Sequence, residues 1–550
     1  MGYNKCNFKQ YCEGEWLFMK KNLVIILFIM LIAGVIGNAV TRGNRKRVSR
    51  KKIGNVKVSE KTVDLSNYNG VKKVSIFVQG FESGPAVSKV ILEMADYRIT
   101  NLDRNDWKIK TNGFERKVMD VYVSNKKGEK AFDTGIITLE LENKFNPDTL
   151  KYEGSPFAYN RQKFFNEWVK EYVVEIEGKV TIDGKDYLVN KKEDVINNRV
   201  STDTELFNYR SSFSGNYKNP ITKKIENLKL EMAAYEPENF KLGAKKPLIV
   251  WLHGQGEGGT DPDIDILGTE TSALAKEEIQ KYFTAGGTDT KGAFVLAVQS
   301  PTYWMDEGDG TNGNGSGNSR YTQILMDTIK EYVKHNPYVD TSRIYLAGDS
   351  NGGYMTVNMI ITYPDYFAAA VPICEAYAYH EYARNSDGTY KTNNIEVSAG
   401  GKNSAISRFV ETKKLWVTNE KIQKMKKTPV WFIAAADDGI VTPKKFSLPT
   451  YRDLLRAGAD NAWYSYYENV VGTDVPNSRF PGHFSWIYFL NNQVEGVQNR
   501  DKIKNSKDTE TFGFEPSNAG KGGSEKANIN GKVFKNVFEW MNFQKKSNRK

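Results

Sequence analysis

A single serine stands between two glycines in the stretch Gly348-Asp349-Ser350-Asn351-Gly352, where a β-branched and aromatic run ends and a helix-like pattern begins. This spacing is typical of a nucleophile elbow, in which a sharp strand-to-helix turn pushes the serine hydroxyl out of the sheet. Glycine stands two positions to either side because a longer side chain would collide with the turn. A helix cap is the simpler interpretation of such a serine, and 46 glycines make a chance match common. The choice between nucleophile and cap therefore depends on whether catalytic partners follow.

A general base and an orienting carboxylate both follow Ser350 along the chain. His483, in "PGHFSW", comes after the last predicted strand, and His380 is the alternative base. Asp438 ends the apolar run "VWFIAAADD" directly before a turn, and Asp437 beside it is the alternative acid. A role in capping that turn is the other interpretation of both aspartates. Serine, aspartate and histidine in this order match the catalytic triad of α/β-hydrolases.

An attacking hydroxyl also requires N–H donors for the carbonyl oxygen that becomes negative. Asn351, the residue after Ser350, supplies one at the start of the predicted helix, where the positive end of the helix dipole lies. The loop "HGQGEGG" after the strand "PLIVWL" supplies the other, with Gln255 as our choice and Gly254 as the alternative. His253 in this loop is predicted to be structural, and a plain glycine-rich turn is the alternative interpretation of the loop.

The elements that must position these residues are strands that alternate with helices. From Lys224 onward, apolar runs such as "PLIVWL", "GAFVLAVQS" and "RIYLAG" are separated by helical patterns such as "SRYTQILMDTIKEYVKHNP". Such an order predicts a mostly parallel sheet with helices on both faces. The carboxyl ends of its strands would bring the serine, the aspartate and the glycine-rich loop to one edge.

The preceding part of the chain has short segments that alternate apolar and polar residues, such as "KVMDVYVSN" and "GIITLELEN", broken by turns. This pattern predicts an immunoglobulin-like β-sandwich without a cysteine pair. The predicted fold class is therefore an α/β-hydrolase preceded by an immunoglobulin-like β-sandwich. The predicted segments are a signal peptide or membrane anchor at 1–39, a basic linker at 40–59, the sandwich at 60–215 and the catalytic domain at 224–545.

The composition excludes several classes of function. The net charge is +11, but basic and acidic residues are interleaved outside the run 42–52, so we expect no nucleic-acid binding. The three cysteines, Cys6, Cys12 and Cys374, form neither a disulfide framework nor a CxxC pair. The four scattered histidines include no HExxH motif, so we expect no metal site.

An export signal is predicted at the start of the chain. Two lysines precede the apolar run from Leu23 to Ile36, and the small residues Gly37 and Ala39 follow at the spacing that signal peptidase needs. Its 14 residues are short for a bilayer span of about 20. We predict a secreted protein, and an uncleaved anchor that holds it at the outer face of the cell membrane is the alternative.

Four segments together resemble the secreted esterase branch of the α/β-hydrolases: "KKPLIVWLHGQGEGGTD", "SRIYLAGDSNGGYMT", "PVWFIAAADDGIV" and "GHFSW". The chain resembles polyhydroxybutyrate-depolymerase/feruloyl-esterase-like and prolyl-oligopeptidase-like serine hydrolases, and it is similar to bacterial esterases that carry an N-terminal immunoglobulin-like domain. The resemblance implies an exported serine carboxylesterase that needs no cofactor and acts on small-molecule or polymer-attached esters. By motif match it implies a nucleophile, base, acid and oxyanion hole at Ser350, His483, Asp438, and Gln255 with Asn351.

Two insertions depart from that pattern, one at 306–320 and one after His483, and both would lie near the catalytic edge of the sheet. Substrate preference therefore does not follow from the resemblance. Three nearby aromatic residues, Trp304, Tyr354 and Trp486, are candidates for a substrate pocket, with the hydrophobic core as the alternative.

Two other functions remain open from the sequence. A prolyl-oligopeptidase-type serine peptidase would use the same triad, but the segment ahead of the catalytic domain is too short for the propeller that such enzymes usually carry. A non-catalytic surface binding protein would keep the hydrolase scaffold without needing a triad or an oxyanion loop. The oligomeric state is not predicted.

Overall fold

The computed structural model describes residues 65–546 apart from 239, 242–243, 285–291, 310–314, 400–401 and 477. The predicted signal peptide or anchor and the predicted basic linker lie outside the described residues. Residues 65 onward form one compact unit that contains both predicted domains.

The N-terminal part of this unit is a β-sandwich, as the alternating pattern predicts. One sheet has the order β14-β1-β2-β7-β6, and the other has the order β13-β12-β4-β5 with β3 beside β12. In β12 the apolar residues Val174 and Ile176 point into the core, while Glu175 and Glu177, which alternate with them, point outward. Its elements are β1 (Val71–Gln79), β2 (Ala86–Met94), β3 (Ile99–Asn101), β4 (Lys108–Thr111), β5 (Phe114–Arg116), β6 (Val118–Val123), β7 (Ile136–Leu141), β8 (Phe145–Asn146), β9 (Lys151–Tyr152), β10 (Phe157–Asn160), β11 (Phe165–Trp168), β12 (Val173–Ile182), β13 (Lys185–Asp194), β14 (Arg199–Val200) and helix α1 (Thr202–Leu206).

The C-terminal part is built on an eight-stranded sheet of order β15-β16-β18-β17-β19-β20-β25-β26. The two pairings that involve β16 are antiparallel and the strands from β18 to β26 pair in parallel. Its strands are β15 (Tyr209–Lys218), β16 (Ile225–Tyr235), β17 (Lys246–Leu252), β18 (Phe294–Gln299), β19 (Val339–Asp349), β20 (Ala369–Ile373), β25 (Val430–Ala435) and β26 (Ala462–Tyr467). Short pairs outside the sheet are β21 (His380–Tyr382) with β24 (Glu411–Leu415), β22 (Thr392–Ala399) with β23 (Lys402–Phe409), β27 (Val470–Val471) with β28 (Arg479–Phe480), and β29 (Asn528–Ile529) with β30 (Lys532–Val533).

Helices cover both faces of this sheet, and β17 and β18 are buried at every position. Two separate hydrophobic clusters lie on the two faces, one around Val250 and Leu346 and the other around Ile249 and Trp251. The predicted fold class is confirmed. The helices are α2 (Pro262–Gly268), α3 (Glu277–Gln280), α4 (Thr322–His335), α5 (Asn351–Thr362), α6 (Asn419–Met425), α7 (Ser447–Arg456), α8 (Trp486–Leu490), α9 (Arg500–Asn505) and α10 (Val537–Phe543).

One strand lies in a different domain from the one its pattern indicated. Residues up to 215 were predicted to belong to the sandwich, but β15 pairs along its whole length with β16 at the edge of the eight-stranded sheet. The stretch "YRSSFSGNYK" alternates like a sandwich strand because an antiparallel edge strand is also covered on one face only.

Candidate active site

The turn between β19 and α5 is a strained strand-to-helix corner with Ser350 at its tip. Ser350 has φ 53° and ψ −109°, in the left-handed region that L-residues other than glycine rarely adopt. A Cβ on Gly348 would lie 2.6 Å from the Leu252 carbonyl oxygen, and one on Gly352 would lie 1.9 Å from it. Both flanking glycines are therefore required by the close approach of β17, as the spacing predicts.

The structure brings the side chains of Asp438, His483 and Ser350 into one hydrogen-bonded chain. His483 Nε2 lies 2.8 Å from Ser350 Oγ, and His483 Nδ1 lies 2.9 Å from Asp438 Oδ2. Burial alone would lower the pKa of His483, but the charge and hydrogen bond of Asp438 outweigh it and the pKa is raised above its ordinary value. The imidazole is thus placed to accept a proton from Ser350, with Asp438 to stabilise the charge that results.

The local backbone selects Asp438 over its neighbour. Asp438 Oδ1 accepts hydrogen bonds from the N–H groups of Ile440 and Val441, each at 2.8 Å, which leaves Oδ2 facing His483. Asp437 instead pairs with Arg479, also at 2.8 Å. His380, the alternative base, lies on β21 with its ring against Tyr379, so the structure brings His483 rather than His380 to Ser350.

The loop after β17, residues 253–259, lies beside Ser350. We call it the oxyanion loop, after the role that the sequence predicts for it. Gln255 begins a short 3-10 helix, Gln255–Glu257, and lines both cavities that contain Ser350. Asn351 begins α5, and its side-chain Oδ1 accepts a hydrogen bond from the Met305 N–H at 3.1 Å. Both residues therefore stand at the first position of a helical element beside Ser350.

His253 ties this loop to the next strand rather than facing the serine. Its Nδ1 donates to the Gly254 carbonyl at 2.6 Å, and its Nε2 accepts from the Ser300 N–H at 3.1 Å. Burial lowers the pKa of His253 to about 4, so the ring is neutral at physiological pH. The structural role that the sequence predicts for this histidine fits these contacts.

A cluster of buried carboxyl groups behind the oxyanion loop has no counterpart in the sequence prediction. Asp349 accepts a hydrogen bond from the Gly254 N–H, and a Cβ on Gly254 would lie 2.6 Å from Asp349 Oδ2 and 3.0 Å from Glu257 Oε2. Burial raises the pKa values of Asp349, Glu257 and Asp265 above their ordinary values, and the charge of Asp349 raises that of Glu257 further. Asp349 lies inside the elbow motif, and this position is the one sequence feature that could have indicated the carboxyl cluster.

Ser350 and His483 open into a cleft of about 520 Å³ whose walls come from both domains. The catalytic domain supplies Trp486, Phe484 and Ile440, and the N-terminal domain supplies Pro85, Leu150, Phe157 and Tyr159. Of the three predicted pocket aromatics, Trp486 lies in this cleft. Trp304 and Tyr354 are instead buried in the hydrophobic core, Trp304 against His253 and Tyr354 stacked on Tyr377, because large rings fill the space under the elbow.

The N-terminal domain is fastened to the catalytic edge by polar contacts. Glu82 accepts hydrogen bonds from the N–H and the hydroxyl of Thr473 at 2.6 and 2.8 Å, and Trp486 Nε1 donates to the Glu82 carbonyl. The hairpin β10–β11 lies on the oxyanion loop, where Asn166 Nδ2 donates to the Gly256 carbonyl at 3.0 Å. These contacts join residues that are far apart in the chain, so no local sequence pattern predicts them.

Comparisons with known proteins agree with this two-domain architecture. Residues 73–188 match the family described as "Esterase Ig-like N-terminal domain", and residues 305–469 match the "Prolyl oligopeptidase family". A solved structure titled "Crystal Structure of a Thermostable Esterase" aligns over 77% of this chain and 97% of its own, with a TM-score of 0.54 at 22% identity. The chain therefore combines an esterase-type immunoglobulin-like domain with an α/β-hydrolase domain, which confirms the predicted resemblance.

Curated relatives match over shorter stretches. The chain is 40% identical over 150 residues to poly(3-hydroxyalkanoate) depolymerase C of Paucimonas lemoignei, which is 26% of this chain and 31% of that protein. It is 29% identical over 147 residues to a probable acetylxylan esterase A of Neosartorya fischeri, or 25% and 36% of the two chains. With feruloyl esterase B of Neurospora crassa it shares 30% identity over 145 residues, or 26% and 42%. The chain thus spans about a third of the length of the first two relatives.

Proposed function

We propose that this protein is a serine carboxylesterase in which Ser350 is the nucleophile, His483 the general base and Asp438 the orienting acid. The observation that carries the proposal is the continuous hydrogen-bonded chain from Asp438 through His483 to Ser350, at the mouth of a cleft large enough for an ester. Both hydrogen bonds have ordinary lengths, 2.9 and 2.8 Å, and the acid is also held by two backbone N–H groups.

The reaction proceeds in two halves. His483 Nε2 takes the Ser350 proton as Oγ attacks the ester carbonyl, and the carbonyl oxygen becomes negative beside the N–H groups of Gln255 and Asn351. The C–O bond to the alcohol then breaks while His483 returns the proton to the leaving oxygen. Water, deprotonated by the same histidine, hydrolyses the acyl-enzyme and restores Ser350.

The relatives named above support an ester of a small molecule or of a polymer as the substrate. They are named as a poly(3-hydroxyalkanoate) depolymerase, a probable acetylxylan esterase and a feruloyl esterase. No helix in the described part of the chain is both long enough and apolar enough to cross a membrane. The proposal includes export through the predicted signal peptide, and a retained membrane anchor is the alternative. N-terminal sequencing of the protein recovered from culture medium tests cleavage after Ala39.

Replacement of the nucleophile tests the proposal. Ser350→Ala should lower kcat for p-nitrophenyl acetate by about 10⁴-fold or more, because the acyl-enzyme cannot form. Ser211→Ala, at an exposed serine of the edge strand β15, is the matched control and should keep the activity of the unchanged protein. Equal activity of a folded Ser350→Ala protein, checked by circular dichroism, would exclude the assignment.

A serine peptidase is the second candidate, because residues 305–469 match the prolyl oligopeptidase family. The domain ahead of the catalytic domain is a β-sandwich rather than the propeller expected of such enzymes. Parallel assays of p-nitrophenyl acetate and a proline p-nitroanilide peptide separate the two functions, and we expect turnover of the ester alone. Turnover of the anilide at a comparable kcat/KM would favour the peptidase, and a folded protein that cleaves neither substrate would favour a binding role.

A further inference from the structure

Two cavities meet at Ser350, and their volumes differ. The first is the cleft of about 520 Å³ described above, and the second encloses about 210 Å³. Both include Ser350, Gln255 and Ile440, so a carbonyl carbon bound at the serine would send one substituent into each cavity. We name them the large chamber and the small chamber.

The position of His483 indicates which part of the ester binds in each chamber. His483 lines the large chamber and is not among the residues that line the small one. In the step that breaks the ester, His483 Nε2 must hand its proton to the oxygen of the departing alcohol. That oxygen must therefore lie on the His483 side of the carbonyl carbon. On the proposed function, we infer that the large chamber takes the alcohol part of the ester and the small chamber takes the acyl part.

The large chamber is mostly apolar, and part of its wall belongs to the N-terminal domain. Phe484 and Trp486 form a stacked pair 4.4 Å apart on the catalytic side. Phe157 and Tyr159, on β10 of the N-terminal domain, also line this chamber, and Tyr159 is 45% exposed, which leaves its ring available to a ligand. An aromatic alcohol matches this wall, since aromatic rings prefer to pack against one another.

Hydrogen bonds to the catalytic domain hold the hairpin that carries Tyr159 in place. Asn166 Nδ2 donates to the Gly256 carbonyl, and Trp168 Nε1 donates to Asp261 Oδ2 at 2.8 Å, so the partner strand β11 is bonded to the catalytic domain at two points. β10 pairs with β11 over its full length, from Phe157 opposite Trp168 to Asn160 opposite Phe165. Tyr159 therefore has a defined position relative to Ser350.

The small chamber is lined mostly by elements that follow the nucleophile in the chain. Its apolar wall includes Met305, Ala376 and Phe409. Arg408 donates to the carbonyl oxygens of Gly439 and Ile440 and thereby ties β23 to the loop after Asp438. A chamber with less than half the volume of its neighbour suits a short acyl group. The substrate class is thus an ester of a short carboxylic acid with a bulky, aromatic alcohol, and Tyr159 is a specificity-determining residue.

Two isomeric esters test the assignment, because they differ only in which side carries the ring. Benzyl acetate places the ring on the alcohol, and methyl phenylacetate places it on the acid. We expect kcat/KM to be about tenfold or more higher for benzyl acetate. Tyr159→Ala should lower kcat/KM for benzyl acetate by about tenfold and leave that for methyl phenylacetate within about twofold, while Tyr159→Phe, which keeps the ring, should behave as the unchanged protein.

Ser350-dependent hydrolysis of p-nitrophenyl acetate separates a failure of this inference from a failure of the proposed function. If that hydrolysis is absent, the esterase function fails and the chamber assignment fails with it. If it is present, the assignment alone is overturned by any of three results: a preference for methyl phenylacetate, no turnover of benzyl acetate, or an equal loss on both esters in Tyr159→Ala. Because Tyr159 is partly exposed, circular dichroism of the variant should match that of the unchanged protein.

Discussion

The two domains contribute different kinds of residue to the cleft around Ser350. The catalytic domain contributes the three residues of the proposed triad, and Asp438 among them is held by His483 and two backbone N–H groups. The N-terminal domain contributes apolar side chains to the cleft wall and the amide of Asn166 to the oxyanion loop. Chemistry and substrate fit are therefore divided between the domains, so that substitutions in one should change kcat strongly and those in the other should act mainly on substrate choice and loop position.

The largest effect should come from the acid of the catalytic domain. Asp438→Asn removes the charge that stabilises protonated His483 and offers an amide where a carboxylate accepts the Nδ1 proton. We expect kcat to fall by about 10⁴-fold in assays with p-nitrophenyl acetate. Asp437→Asn is the matched control, since Asp437 pairs with Arg479 instead, and it should change kcat less than about threefold. Similar losses in both variants would contradict the role of Asp438.

A smaller effect should come from the amide that the N-terminal domain contributes. Asn166→Ala removes the donor to the Gly256 carbonyl, and we expect kcat to fall by about three- to tenfold because the oxyanion loop loses one support. Asn105→Ala, in the same domain at an exposed asparagine bonded to Asp103, should leave kcat unchanged. A loss confined to KM in Asn166→Ala would show that this residue contacts substrate rather than positions the loop.

The smallest effect should be a shift in pH dependence. Activity requires neutral His483, so kcat/KM should fall as pH drops through the His483 pKa, which lies above its ordinary value. The ionised form of Asp349 raises that pKa. Because burial also raises the pKa of Asp349, only part of this charge is present along the acid limb, and Asp349→Asn should move the limb to lower pH by a small amount. Asp437→Asn should leave the limb in place. A limb that moves to higher pH in Asp349→Asn would contradict the electrostatic coupling.

Local sequence patterns predicted the catalytic edge better than the contacts between domains. The turn after Asp438 is held by hydrogen bonds within three residues, so its sequence is locally determined. The glycines around Ser350 form a recognisable local motif, although β17, the strand that requires them, lies about 100 residues earlier. Asn166 and Glu82 act on segments about 90 and 390 residues away, and nothing in their own neighbourhoods encodes that. The positions of Trp304 and Tyr354 were likewise not predictable from local sequence. A large aromatic side chain near an elbow packs either in the pocket or in the core, and only the assembled fold distinguishes the two.

Covalent labelling tests the nucleophile most directly. The full-length protein should react with a fluorophosphonate at pH 8, and peptide mapping by mass spectrometry should place a single modification on Ser350, with little reaction in His483→Ala. A folded protein that stays unlabelled, or one modified at a different serine, would contradict the assignment of Ser350.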